Sequence, residues 1–189
     1  MPERAMIVEI VDRLSRFAHS IQFAEGLNPA QWAALRYVAR ANSNSCSPSA
    51  LADLVGLTEG TVSQTRKALE ARGLIERHRK PSDRRAIRIT VTQDGHELLL
   101  KDPLGRIHDA LTPCDWTEQR KIVDGMQGLL DVFQRYGQIP DFGPYLSFTP
   151  YEPEGCGEIS GVGCRCGVSG ELFNSLEADQ VCADFSPTN

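Results

Sequence analysis

The sequence predicts a mainly α-helical protein with one small β-hairpin and an irregular cysteine-rich tail. Three observations carry that prediction. Two short helical segments within residues 47–73 are joined through a glycine and flanked on both sides by longer segments with apolar residues at helical spacing. Directly after Gly73 the pattern shifts to two β-rich runs around a turn. Near residue 140 the chemistry changes: residues 141–189 hold Arg165 as their only base against eight acids, a net −7, while residues 1–140 stand at +2.

At 189 residues the chain has room for one domain and an appendage. With 41% apolar and 24% charged residues it matches an ordinary globular composition, which excludes wholesale disorder and collagen-like repetition. No apolar run approaches the roughly 20 residues of a membrane span, so no membrane partner is expected. The opening MPERAMIVEIVDRLSRF mixes acids into its apolar residues and lacks a signal-peptide pattern. A cytoplasmic setting follows, and there thiols stay reduced.

Residues 4–24 read as an amphipathic helix through Ile7, Ile10, Val11, Leu14, Phe17, Ala18 and Ile21. Asn28-Pro29 opens the next helix, with Asn28 as N-cap, Pro29 where its missing N–H costs nothing, and Gln31 three residues after the cap. After the polar loop 41–45, Ser47-Pro48 caps a short helix that Gly56 stops. Thr58 caps another that Gly73 stops. This is the shape of a helix-turn-helix. Residues 74–79 and 86–91 then read as strands around the turn Pro81-Ser82-Asp83-Arg84, making the hairpin a wing.

Residues 94–111 are helical in part, interrupted at Pro103. Asp115 and Glu118 cap a last helix whose Ile122, Met126, Leu129, Leu130 and Phe133 form one stripe ending near Gly137. Beyond it the chain is Pro- and Gly-rich, with a short helix expected only within residues 172–181. The resulting division is an N-terminal dimerisation helix at 1–27, the winged helix-turn-helix at 28–95, C-terminal dimerisation helices at 96–138 and an acidic cysteine-rich tail at 139–189.

Residues 28–136 resemble the MarR family of winged-helix transcriptional regulators. The resemblance rests on Leu51-Ala52-Asp53-Leu54-Val55-Gly56-Leu57, on Thr61-Val62-Ser63 and on Leu69 through Arg77. Its most specific part is the wing from Asp83-Arg84-Arg85 to Gly95, which fits the family's D-x-R…LT-x-x-G signature with Val91 at the Leu position. It implies a homodimer with intertwined terminal helices on a pseudo-palindromic operator. The tail lies outside it, and Pro103 departs from the family's long continuous helix.

The charge pattern agrees with double-stranded DNA as partner. Residues 62–90 hold nine bases against Glu70, Glu76 and Asp83, a local +6. On the helix from Glu59, Val62, Ala68 and Leu69 should face inward while Gly60, Ser63, Gln64 and Lys67 share the outer face. Gln64 suits a bidentate pair with adenine and Ser63 can bond most base edges. Thr58, Gly60 and Thr61 sit where a phosphate can approach the helix N-terminus, and Lys67 suits the backbone. Arg85 is the candidate for an A·T minor groove, where the family's wing-tip arginine falls. Asp83 would orient it, as the resemblance implies. Arg77, Arg79, Lys80, Arg84 and Arg88 are expected on phosphates.

Four of the six cysteines, Cys156, Cys164, Cys166 and Cys182, fall within 27 residues of the tail. Clustered thiolates select zinc or iron–sulfur clusters. The C-x-C pair and six nearby glycines favour an iron–sulfur cluster, with structural zinc as the alternative because paired C-x2-C knuckles are absent. Cys46 and Cys114 read as structural or incidental.

Two functional classes follow. In the first, a dimeric regulator, expected to be a repressor, carries a metal centre that senses redox or metal state and acts through the last helix. In the second, an organic small-molecule effector binds between the dimerisation and DNA-binding elements, and zinc merely caps the tail. No nucleophile–base constellation or phosphate-cradling loop points to an enzyme.

Overall fold

The computed structural model describes residues 2–42, 45–56, 58–79, 87–137, 143–144, 151–152, 164–166, 172–173 and 180–182. Four helices lead the chain: α1 (Pro2–Ile21), α2 (Pro29–Arg40), α3 (Pro48–Val55) and α4 (Glu59–Ala71). The hairpin β1 (Ile75–Arg79) and β2 (Ile87–Val91) follows, then α5 (Gln93–Leu99), α6 (Gly105–Leu111) and α7 (Trp116–Arg135). Among the described residues, no helix is long and apolar enough to cross a membrane.

The helix starts follow local chemistry. Asn28 and Gln31 form a reciprocal capping box at α2, as do Asp115 and Glu118 at α7. Ser47 accepts from the Ala50 amide to start α3, and Thr58 accepts from the Thr61 amide to start α4. α1 stops three residues short of the expected end, because Glu25 and Gly26 both take positive φ (54° and 71°) in a two-residue turn closed by Ala24 and Leu27. Arg72, just past α4, donates to the carbonyls of Gly26 (2.7 Å) and Glu25 (3.0 Å), and so anchors that strained turn. Pro103 separates α5 from α6, as its missing donor requires.

The core gathers α2, α3, α4 and the hairpin around Trp32, Leu35, Leu51, Leu69 and Ile89, each at most 1% exposed. β1 and β2 pair antiparallel with Ile75 opposite Val91 and Arg79 opposite Ile87. Gly95 lets α5 close over them: a Cβ there would collide with the Leu74 carbonyl oxygen and lie 2.6 Å from Val91 Cγ1. That close approach gives the last glycine of the wing signature its physical reason.

α1 and α7 belong to none of this core. Together they wall an apolar cavity of about 830 Å³ lined by Ile10, Leu14, Ile122, Met126 and Leu129 among others. Leu14 is 49% exposed and Met126 59%.

The tail departs from expectation. Its described pieces are strands: β3 (Gly143–Pro144), β4 (Tyr151–Glu152), β5 (Cys164–Cys166), β6 (Leu172–Phe173) and β7 (Val181–Cys182). β3 pairs antiparallel with β7, and β5 lies between β4 and β6 in a second sheet. The helix expected over residues 172–181 is therefore corrected at both ends. Leu172–Phe173 pairs with Arg165 and Cys164, and Val181–Cys182 pairs with Pro144 and Gly143. Pairing with distant strands outweighs the propensity of a ten-residue segment too short to hold a helix alone.

Candidate nucleic-acid interface

The helix-turn-helix presents α4 with a division between faces. Val62 (2% exposed) and Leu69 (0%) point into the core as expected, and Thr65 joins them at 6%. Thr65 lies three residues after Val62 and four before Leu69, so helical spacing places it on the inner face despite its polar side chain. On the opposite face Gly60, Thr61, Gln64 and Lys67 are exposed and Ser63 is half-buried. Gln64 and Lys67 are three residues apart and so neighbours on the helix surface.

At the helix start, the Thr58 hydroxyl is engaged with Thr61, accepting from its amide at 3.3 Å and lying 2.9 Å from its hydroxyl. Capping therefore fixes the first turn and aims its remaining amides outward. Sequence reasoning passed over Glu59 as a site residue. It is exposed in that first turn, four residues before Ser63, where its carboxylate would repel a phosphate but can accept from a cytosine amine. The i, i+4 spacing to Ser63 was the available signal.

The wing is tied to α4 through Glu70, whose Oε1 takes Arg66 Nη1 at 2.6 Å and Arg77 Nε at 3.2 Å. Arg77 thus stands exposed on β1 with part of its guanidinium committed to a carboxylate. The backbone of Arg79 ends β1. Arg88 on β2 is half-buried, and it lines a cavity with Val38, Cys46 and Ile89. Lys80, Asp83, Arg84 and Arg85 lie outside the described residues, as do the side chain of Arg79 and the whole of Cys156. The loop before α3 is fastened to the wing by the Ile89 amide, which donates to the Cys46 carbonyl at 3.0 Å.

In the tail, Cys164 and Cys166 occupy alternate positions of β5, and Cys182 ends β7. Among the described residues no three His, Cys, Asp or Glu side chains lie together as a metal set. Cys46 is buried in the core, its thiol donating to the Ala41 carbonyl at 3.4 Å. That is the structural role expected of it.

A capped, outward-facing α4 beside an antiparallel hairpin defines a winged helix-turn-helix protein. Residues 25–86 match the model of the MarR family. Over this segment, about a third of the chain, the sequence is similar to the MarR family. It is 26% identical over 122 residues to the transcriptional repressor MprA of Escherichia coli (strain K12), a match that covers 61% of this chain and 69% of that protein. Among solved structures it is similar to the transcriptional regulator SlyA, with 20% identity and a TM-score of 0.57 over 68% of this chain and 94% of that one. It is also similar to MarR, with 25% identity and a TM-score of 0.51 over 71% and 99%. MprA is a transcriptional repressor and SlyA a transcriptional regulator.

Proposed function

We propose that this chain is a repressor that binds a pseudo-palindromic operator as a homodimer. The observation that carries the proposal is the exposed face of α4. It offers Gly60, Gln64 and Lys67 beside a basic hairpin, within the segment that matches the family. In this reading α4 enters the major groove, with Gln64 and Ser63 on base edges and Lys67 on phosphate. Thr58, Gly60 and Thr61 bring a phosphate to the helix start. Arg85, oriented by Asp83, reaches the adjacent minor groove. Arg77, Arg79, Arg84 and Arg88 add phosphate contacts, although the half-buried Arg88 is less suited to them than the exposed Arg77. The apolar faces of α1 and α7 supply the dimer contact, since exposed patches of that kind mark association surfaces.

Two substitutions separate these roles. Gln64→Ala should cost about 1–3 kcal/mol on the preferred operator and relax the preference at one base pair. Lys67→Ala should weaken all sequences alike and reduce the salt slope by about 1. Titration of both variants at several salt concentrations checks this. Equal, sequence-independent losses would remove Gln64 as a base reader.

For the tail, we propose that Cys156, Cys164, Cys166 and Cys182 hold a metal centre, an iron–sulfur cluster in preference to zinc. Four thiols within 27 residues support this, as do the surrounding glycines, whose amides can donate to sulfur. Such a centre would supply a redox- or metal-sensitive crosslink of the tail. Iron, acid-labile sulfide and zinc are to be measured per chain in protein purified without oxygen. Iron matched by sulfide is expected. Zinc alone would make the tail scaffolding and point to an organic effector, while absence of both would remove the centre.

A further inference from the structure

We propose that the C-terminal strand is a strap that holds the α2–α3 connection, and through it the wing, in place. β7 docks on the α2–α3 connection, whereas the sequence suggested that the tail would act through the last helix. The Asn42 amide donates to the Val181 carbonyl at 3.0 Å, and Ala41 and Val181 form a parallel bridge. Val181 also packs, partly buried, against the same core that holds Val38, Ala41 and Cys46.

From Asn42 the connection continues through backbone bonds, with the Ser45 amide also donating to Asn42 Oδ1 at 2.9 Å. The Asn42 carbonyl accepts from the amides of Ser45 (3.1 Å) and Cys46 (3.2 Å), and the Cys46 carbonyl accepts from Ile89 on β2 (3.0 Å). Ser47, the next residue, is the N-cap of α3. Asn42 is 0% exposed with the strand docked, so its amide depends on the Val181 carbonyl as acceptor in this state. One strand thus reaches both the start of the helix-turn-helix and the wing through a few hydrogen bonds.

The other partner of β7 is the start of the tail. Cys182 stands opposite Gly143, so the tail's two ends are fastened together and the segment containing Cys156, Cys164 and Cys166 is closed between them. Cys182, a candidate metal ligand, is the immediate neighbour of the anchoring Val181. A single hydrogen bond and one partly buried valine favour the docked strand by roughly ten- to a hundredfold. An equilibrium of that size can be shifted by a change at the adjoining residue.

Cys46 reports the state of the strap, because its buried thiol bonds the carbonyl of Ala41, the strap's bridging residue. Gln180, Cys46 and Ile89 share the walls of one cavity of about 350 Å³. In the full chain, Val181→Asp should raise the rate of Cys46 alkylation by iodoacetamide roughly tenfold or more. The rate at Cys114 should stay unchanged, and hydrogen exchange should show lost protection of the Asn42 amide. A folded Val181→Asp protein with the wild-type Cys46 rate and Asn42 protection overturns the strap. If Val181→Asp does not fold, Val181→Ala should give a smaller rise, and the wild-type rate there overturns it equally. The thiol and exchange readouts stand apart from the proposed DNA binding: a wild-type chain that binds no operator would sink that reading and leave this test intact.

Discussion

Leu14→Asp combined with Met126→Asp should leave a folded monomer whose operator affinity falls by roughly a hundredfold or more. Both residues line the apolar cavity between α1 and α7, and both are about half exposed in the single chain. Neither is part of the core around Trp32, so their replacement spares the winged domain. Burying an aspartate in an apolar contact between copies costs several kcal/mol without a partner charge. A monomer then engages one half-site and loses the high effective concentration that a linked second reading head provides. Light scattering after size exclusion and operator titration measure the two consequences. A dimer that survives, or a monomer that binds as tightly as the wild type, would contradict the assignment of these helices.

Leu69→Ala should lower stability by about 2–5 kcal/mol, a large part of the 5–15 kcal/mol of an ordinary domain. Leu69 is fully buried on the inner face of α4, against the core that includes Trp32, Leu35 and Ile89. The same helix carries the proposed reading face, so the cavity both destabilises the fold and loosens the aim of Gln64 and Lys67. The urea midpoint should fall with the slope unchanged, as expected when stability alone changes. A loss below about 1 kcal/mol would mean that α4 is not seated on this core.

What the sequence made legible was local. Capping chemistry at Asn28, Ser47, Thr58 and Asp115 fixes helix starts within a few residues, and each cap is formed as the spacing implies. The two β-rich runs after Gly73 pair antiparallel as a wing, as their sequence implies. The exposure of Gly60, Gln64 and Lys67 followed from helical periodicity alone.

What escaped it depends on partners far along the chain. Arg72 reaches carbonyls 46 and 47 residues away, and no local pattern marks it as the anchor of the Glu25–Gly26 turn. Arg36 meets Asp102 at 2.6 Å across 66 residues, tying α2 to the α5–α6 connection. The strands at Leu172–Phe173 and Val181–Cys182 take their conformation from Arg165, Gly143 and Ala41, so their own propensity had no decisive vote.

The central claim is that this is a dimeric operator-binding protein with α4 as its reading head. The most direct measurement is selection of bound sequences from a random duplex library by the full chain, followed by titration of the enriched site at several salt concentrations. The expected result is a two-fold symmetric site with half-site centres about 10–10.5 base pairs apart, or a multiple of that spacing. Its affinity should fall steeply with salt. Absence of enrichment, or a single asymmetric half-site bound with no salt dependence, would contradict the claim.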